Sequence, residues 1–223
     1  ANTLYEPRSV FSDGTRLLIA DNLNHRVLIY NEIPTENNAE ADLVIGQIDF
    51  THNSSNRGGS VADNTLNQPC IIYIVAGKVI VVDNHSNRVL IFNEIPTENG
   101  ASADVVIGQA DFTHNSANRG GSVANNTLYW PTSIYSDGDK LQIADFSNNR
   151  VLIFNEIPTE NGASADVVIG QADFTHNSAN RGGSVADNTL SGPYGVYADD
   201  TRIYIADFSN NRVLIYNEIP TEN

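Results

Sequence analysis

The apolar positions of this chain fall in short runs. In the first sixty residues they are Arg16-Leu17-Leu18-Ile19-Ala20-Asp21, Val27-Leu28-Ile29-Tyr30 and Asp42-Leu43-Val44-Ile45-Gly46-Gln47, preceded by a weaker Arg8-Ser9-Val10-Phe11-Ser12. Between them stand turn formers: Asp13-Gly14-Thr15, Asn22-Leu23-Asn24-His25 and Pro34-Thr35-Glu36-Asn37-Asn38. The runs are too short for helices, are rich in β-branched residues, and are bounded by Pro, Gly and Asn. They predict four strands of about five or six residues each. The centres of the second, third and fourth strands are apolar on consecutive positions rather than alternate ones. Strands of that kind belong in sheets covered on both faces.

The pattern then repeats. Arg26 to Asn37 recurs as Arg88 to Asn99, Arg150 to Asn161 and Arg212 to Asn223, at a spacing of 62 residues, with only Tyr/Phe exchange at the fifth position. The repeats run 2–63, 64–125, 126–187 and an incomplete 188–223. A tandem array of one supersecondary unit shares a single stacked core, so the whole chain, 1–223, reads as one domain. Four-stranded antiparallel sheets stacked face to face around an axis satisfy the burial pattern: an all-β β-propeller with about 3.75 blades in this chain. The last copy stops after its third strand. Either more chain follows or several chains complete a ring together, and an unpaired third strand would recruit a partner.

The turn and the strand after it carry a family resemblance. Ile19-Ala20-Asp21-Asn22-Leu23-Asn24-His25-Arg26-Val27-Leu28-Ile29-Tyr30 and Ile143-Ala144-Asp145-Phe146-Ser147-Asn148-Asn149-Arg150-Val151-Leu152 resemble the NHL repeat: an Asp, a polar turn, Asn-(His/Asn)-Arg, then an apolar strand. The pattern occurs in all four copies, and a proline precedes each first strand (Pro7, Pro69, Pro131, Pro193). The copies depart from the family in being longer, the surplus lying in the connection from Phe50 to Ala62. The resemblance implies a propeller of bacterial or archaeal type, and six blades in most members.

Composition narrows the partners. The net charge is −15, with only 12 Lys plus Arg. That repels nucleic acid and anionic membrane surfaces, and no run of apolar residues is long enough to span a bilayer. A protein or a glycan is the expected partner, along with self-association or continuation into further repeats. The single cysteine, Cys70, excludes an internal disulfide. An extracellular or cell-surface setting is expected.

Identical copies cannot distinguish one blade from another. Asn87 to Ala124 is identical to Asn149 to Ala186, which marks the third and fourth strands and the long connection as scaffold. Variation gathers around the prolines: Tyr5-Glu6-Pro7-Arg8, Asn67-Gln68-Pro69-Cys70, Tyr129-Trp130-Pro131-Thr132 and Ser191-Gly192-Pro193-Tyr194. It gathers also in the turns Leu23-Asn24-His25, His85-Ser86-Asn87, Phe146-Ser147-Asn148 and Phe208-Ser209-Asn210. In a propeller both sets open on one rim of the central channel. The candidate ligand-binding residues are therefore Tyr5, Glu6, Arg8, Asn67, Gln68, Tyr129, Trp130, Thr132, Tyr194, Phe146 and Phe208: flat aromatic surface beside polar groups, which suits sugars or peptides. The alternative is drift in tolerant loop tips.

Repetition assigns Asp21/Arg26, Asp83/Arg88, Asp145/Arg150 and Asp207/Arg212 to structure: each Asp can pair with its Arg across a hairpin or cap turn amides. His52, His114 and His176 occupy equivalent places on separate connections, so they do not converge as metal ligands. No catalytic residue and no cofactor is expected; calcium is the one ion the acidity leaves open. The reading is a non-catalytic binding module, with a structural protein that assembles through its incomplete blade as the first alternative, and a metal-dependent hydrolase or lyase as the second.

Overall fold

The computed structural model describes residues 3–222; the limits of the repeat array at Asn2 and Asn223 lie outside them. Among the described residues fifteen strands form four antiparallel sheets. The first holds β1 (Pro7–Ser12), β2 (Leu17–Asp21), β3 (Arg26–Tyr30) and β4 (Leu43–Ile45). The second holds β5 (Pro69–Val75), β6 (Lys78–Asp83), β7 (Arg88–Phe92) and β8 (Val105–Ile107). The third holds β9 (Pro131–Ser136), β10 (Leu141–Asp145), β11 (Arg150–Phe154) and β12 (Val167–Ile169). The last has β13 (Pro193–Ala198), β14 (Ile203–Asp207) and β15 (Arg212–Tyr216). Strands follow one another in space as in sequence, so every blade is a meander.

In the second and third blades the runs apolar on consecutive positions are buried on both faces, as the sequence requires, whereas in the last blade one face of the run is exposed. One face of the first sheet (Leu18, Ala20, Val27, Ile29, Ile45) packs against Ile72, Val81, Leu90 and Val106 of the second. The second sheet's other face (Ile80, Val82, Val89, Ile91, Ile107) meets Ile134, Ile143, Leu152 and Val168. The third presents Ala144, Val151, Ile153 and Ile169 to Val196, Ile205 and Leu214. Each such Val, Leu or Ile contributes about 1.5–3 kcal/mol by leaving water. The array is open: among the described residues no strand of the first sheet pairs with one of the last.

The fourth strand of the first three blades is shorter than expected, three residues rather than five or six. It ends at Gly46, where φ is +88° and an added Cβ would lie 2.6 Å from Leu66 of the connection. Only glycine fits that approach. The tail of the repeated stretch clips blades together. Val44 N donates to Asn99 Oδ1 at 3.0 Å and Gly100 N donates to Val44 O at 2.8 Å. Val106 makes the same pair of bonds with Asn161 and Gly162, which accounts for the constancy of that loop.

Candidate functional site

The Asp/Arg pairs are the frame of the site. Arg88 Nε donates to Asp83 Oδ2 at 2.8 Å, its Nη1 to Phe112 O, and its Nη2 to Ala62 O and Thr65 O, with both charged side chains fully buried. Asp83 Oδ1 accepts the Asn67 amide at 2.6 Å. The same bond reaches Tyr5 from Asp21, Tyr129 from Asp145 and Ser191 from Asp207. Each pair thus does both things the sequence allowed, pairing and capping, and it fixes the residue that leads into the innermost strand. Burial raises the Asp145 carboxyl above its ordinary value, against the opposing pull of Arg150.

One residue later the backbone is forced. Glu6, Gln68 and Trp130 have φ of 48°, 56° and 56°, and Gly192, their equivalent, has 56°. A non-glycine residue in the left-handed region immediately before proline runs against two local preferences at once. The conformation is held from the preceding blade: Gln68 N donates to His25 Nδ1 (3.1 Å), Trp130 N to Asn87 Oδ1 (2.9 Å) and Gly192 N to Asn149 Oδ1 (2.8 Å). The His25 bond needs a neutral ring, and burial holds the His25 imidazole below its usual value, with Asp83 opposing and His85 assisting.

After each proline the ladder slips by one residue. Pro7 pairs with Asp21 and Ser9 with Ala20, which leaves Arg8 as a bulge; Cys70, Thr132 and Tyr194 are bulged in the same way. A bulge re-aims a side chain. All four line one cavity of about 200 Å³ at the starts of the first strands of the blades, together with Asn22, Gln68, Asn84, His85, Trp130 and Phe146. Cys70 Sγ lies 3.7 Å from Thr132 O, Thr132 Oγ1 donates to Pro193 O at 3.3 Å, and Arg8 Nη1 reaches Tyr194 Oη at 3.4 Å. The first and last blades, unpaired as sheets, therefore meet here. Above them runs an aromatic chain, His85–Trp130–Phe146–Tyr194–Phe208, with ring centroids 5.6 to 6.2 Å apart.

Of the residues expected at the rim, Arg8, Gln68, Trp130, Thr132, Phe146 and Tyr194 come together in the cavity. Phe208 stacks beside Tyr194 outside it, and Tyr129 lines a shallow neighbouring depression with Trp130. Tyr5, Glu6 and Asn67 do not line it; Tyr5 and Asn67 serve through their amides. Asn22 and Asn84 also line it, one place ahead of the variable turns Leu23-Asn24-His25 and His85-Ser86-Asn87; strict 62-residue spacing aligns them with Phe146 and Phe208. Asn22 and Asn84 donate from Nδ2 to Pro69 O and Pro131 O. Asn84 Oδ1 accepts the Trp130 indole N–H, while the Oδ1 of buried Asn22 has no partner among the described residues.

The cavity is poor in reactive groups. Burial, with a contribution from Asp83, pushes the Cys70 thiol up to about 12, so it stays protonated. Burial also holds His85 below its usual value, hence neutral at pH 7. His52, His114 and His176 stand on their separate connections, each with Nδ1 on the Asp three residues earlier (Asp49, Asp111, Asp173). Among the described residues no three His, Cys, Asp or Glu side chains are placed to hold a metal ion.

No family model and no curated protein matches the chain. Among solved structures, the computationally designed Ika4 protein aligns over 97% of this chain and 96% of its own at 9% identity and a TM-score of 0.52. A Bacteroides fragilis protein described as a 6-phosphogluconolactonase aligns over 95% of this chain and 50% of its own at 14% identity and a TM-score of 0.51. The chain spans about half the length of that second structure. At such identities the likeness concerns the fold alone, and that fold is all-β, built from propeller-type blades that leave the array open.

Proposed function

We propose that this protein is a non-catalytic propeller module that binds a small ligand, or a projecting group of a glycan or protein, at the channel mouth. The observation that carries the reading is the set of four bulged residues. Equivalent positions on four otherwise similar blades, each re-aimed by the same slip of register, present Arg8, Cys70, Thr132 and Tyr194 to one cavity. Drift does not account for left-handed backbone kept at Glu6, Gln68 and Trp130, where glycine would be less strained. A protonated thiol and an unpaired neutral imidazole give no support to a hydrolytic reading. The NHL-type pattern supports membership of that family, and the acidity fits an extracellular or cell-surface protein. Glycan and peptide arrays probed with the protein and with a Trp130→Ala/Tyr194→Ala variant test the site. Hits are expected to vanish in the variant; hits that persist unchanged would remove these anchors from the reading.

A second reading, assembly, has its own observation. On the last blade, Val213 and Ile215 are 63% and 55% exposed, and they are equivalent to Val151 and Ile153, which the next blade covers. On the first blade Val10 is 66% exposed and is equivalent to buried Ile72. The two open faces are the halves of the interface that forms three times inside the chain, so a further blade from more repeats or a second copy fits there. Light scattering over a range of concentrations tests this; a concentration-independent monomer whose β15 amides are protected from exchange would exclude it.

A further inference from the structure

We infer that the cavity takes the carboxylate of a sugar acid, one ring in size; this rests on the reading of the rim as a binding site. In a chain of net charge −15, the cavity is lined by one cation, Arg8, and by no Asp or Glu. Among the described residues Arg8 has no ion pair, and its guanidinium makes one hydrogen bond, from Nη1 to Tyr194 Oη. The Nε/Nη2 edge is left over, and that edge is the fork that grips a carboxylate with two parallel bonds. An empty cation with a defined free edge and no competing carboxylate selects an anion.

The remaining walls say what the anion is attached to. Asn22 is buried, lines the cavity, and holds an acceptor, Oδ1, with no partner. Its equivalent one blade on, Asn84, spends that acceptor on the Trp130 indole; at the first junction Gln68 stands in the indole's place and leaves Asn22 wanting a donor. The oxygen lies beneath the cavity wall, closed to water, so a ligand hydroxyl supplies the donor only when the Asn22 side chain turns toward the cavity. Trp130, Phe146 and Tyr194 add aromatic walls set edge to face, 80° and 89° between successive planes, so a single ring face takes the C–H side of a pyranose. The cavity, about 200 Å³, falls below the ~300–1,000 Å³ of sites for larger ligands, which limits the buried part to one ring.

Titration of the intact chain with D-glucuronate, D-glucose and benzoate tests the inference, read by calorimetry and by the fluorescence of Trp130, the sole tryptophan. Glucuronate is expected to saturate with a Kd of ~1 mM, and glucose and benzoate to bind at least ~10-fold more weakly. Arg8→Gln, at an exposed position, should weaken glucuronate ~10-fold and leave glucose unchanged. Asn22→Phe installs the residue that the third and fourth blades carry there; it should abolish both sugars, and a thermal melt checks that the fold is kept. Glucose binding as tightly as glucuronate, or indifference of glucuronate to Arg8→Gln, overturns the anion while leaving the rim a binding site. Benzoate equal to glucuronate keeps the anion and overturns the sugar. Failure of all three ligands overturns the inference; the rim reading falls with it only if array binding is also indifferent to Trp130 and Tyr194.

Discussion

β11 and β15 are the same strand in two settings. Arg150-Val151-Leu152-Ile153-Phe154 and Arg212-Val213-Leu214-Ile215-Tyr216 differ only in their last residue. Each pairs in full with the strand before it, in the same register. Every residue of β11 is buried; β15 alternates between half-buried and exposed. The pairing that makes a strand is thus satisfied inside one blade, whereas burial is conferred by the next blade and by the connection leading to it. In a stacked array each unit completes its neighbour, and stability is a sum of unit and junction terms.

The sharpest way to break this comparison is to put a charge on both strands. Ile153→Asp should cost on the order of 4 kcal/mol or more, because the carboxylate has no partner between the third and fourth blades. Ile215→Asp should stay within ~0.5 kcal/mol in the isolated chain. Urea unfolding of the two variants measures the difference; equal losses would mean that β15 is covered in solution.

The fold was legible because it is carried by local chemistry repeated four times. Consecutive apolar runs, turn residues and the 62-residue period fix strand, blade and stacking without any long-range information. The site was legible in part. The positions flanking Pro7, Pro69, Pro131 and Pro193 stood out by varying against a constant frame, and the structure gathers most of them. What could not be read was the bulge. A one-residue slip leaves no mark in composition, yet it alone decides that Arg8 faces the cavity while Glu6 does not. Asn22 escaped for a different reason, since its role appears only when the four turns are set in strict register and its lone acceptor is compared with that of Asn84.

The Asp/Arg pairs sharpen the comparison at a smaller scale. Arg150 is sealed by Phe174 O, Ala124 O and Thr127 O in addition to Asp145. Arg212 keeps Asp207, Ala186 O and Thr189 O and is partly exposed. Arg150→Met leaves Asp145 buried without its cation and should cost ~3–5 kcal/mol; Arg212→Met should cost less, ~1–2 kcal/mol, because water reaches the vacated site. Loss of Arg150 should also push the Asp145 carboxyl, already raised by burial, higher still. A folded-state pKa above the unfolded one means the native protein holds the extra proton, so the Arg150→Met variant should gain stability as pH falls toward the ordinary carboxylate range. Denaturation midpoints of both variants at pH 7 and pH 5 separate these outcomes.

Rim substitutions should hardly register on this scale. Trp130→Gly removes the indole bond to Asn84 and relaxes the left-handed backbone to the residue that the fourth blade already uses, so the two effects offset to within ~1 kcal/mol. A loss comparable to that of Ile153→Asp would place the rim in the core.

The smallest expected effect divides the junctions from one another. The amide held left-handed at each proline is accepted by His25 at the first junction but by Asn87 and Asn149 at the next two. Only the first acceptor titrates. Burial lowers the His25 pKa below that of the unfolded chain, so the unfolded state takes the proton first; the bond's contribution is complete above the ordinary histidine range and is lost as pH falls below it. Between pH 7 and pH 5 the Gln68 amide should therefore lose protection against hydrogen exchange while the Trp130 and Gly192 amides keep theirs. His25→Asn, which copies the later junctions, should abolish the difference. Equal loosening at all three amides would show that acid acts on the blades as a whole and not through His25.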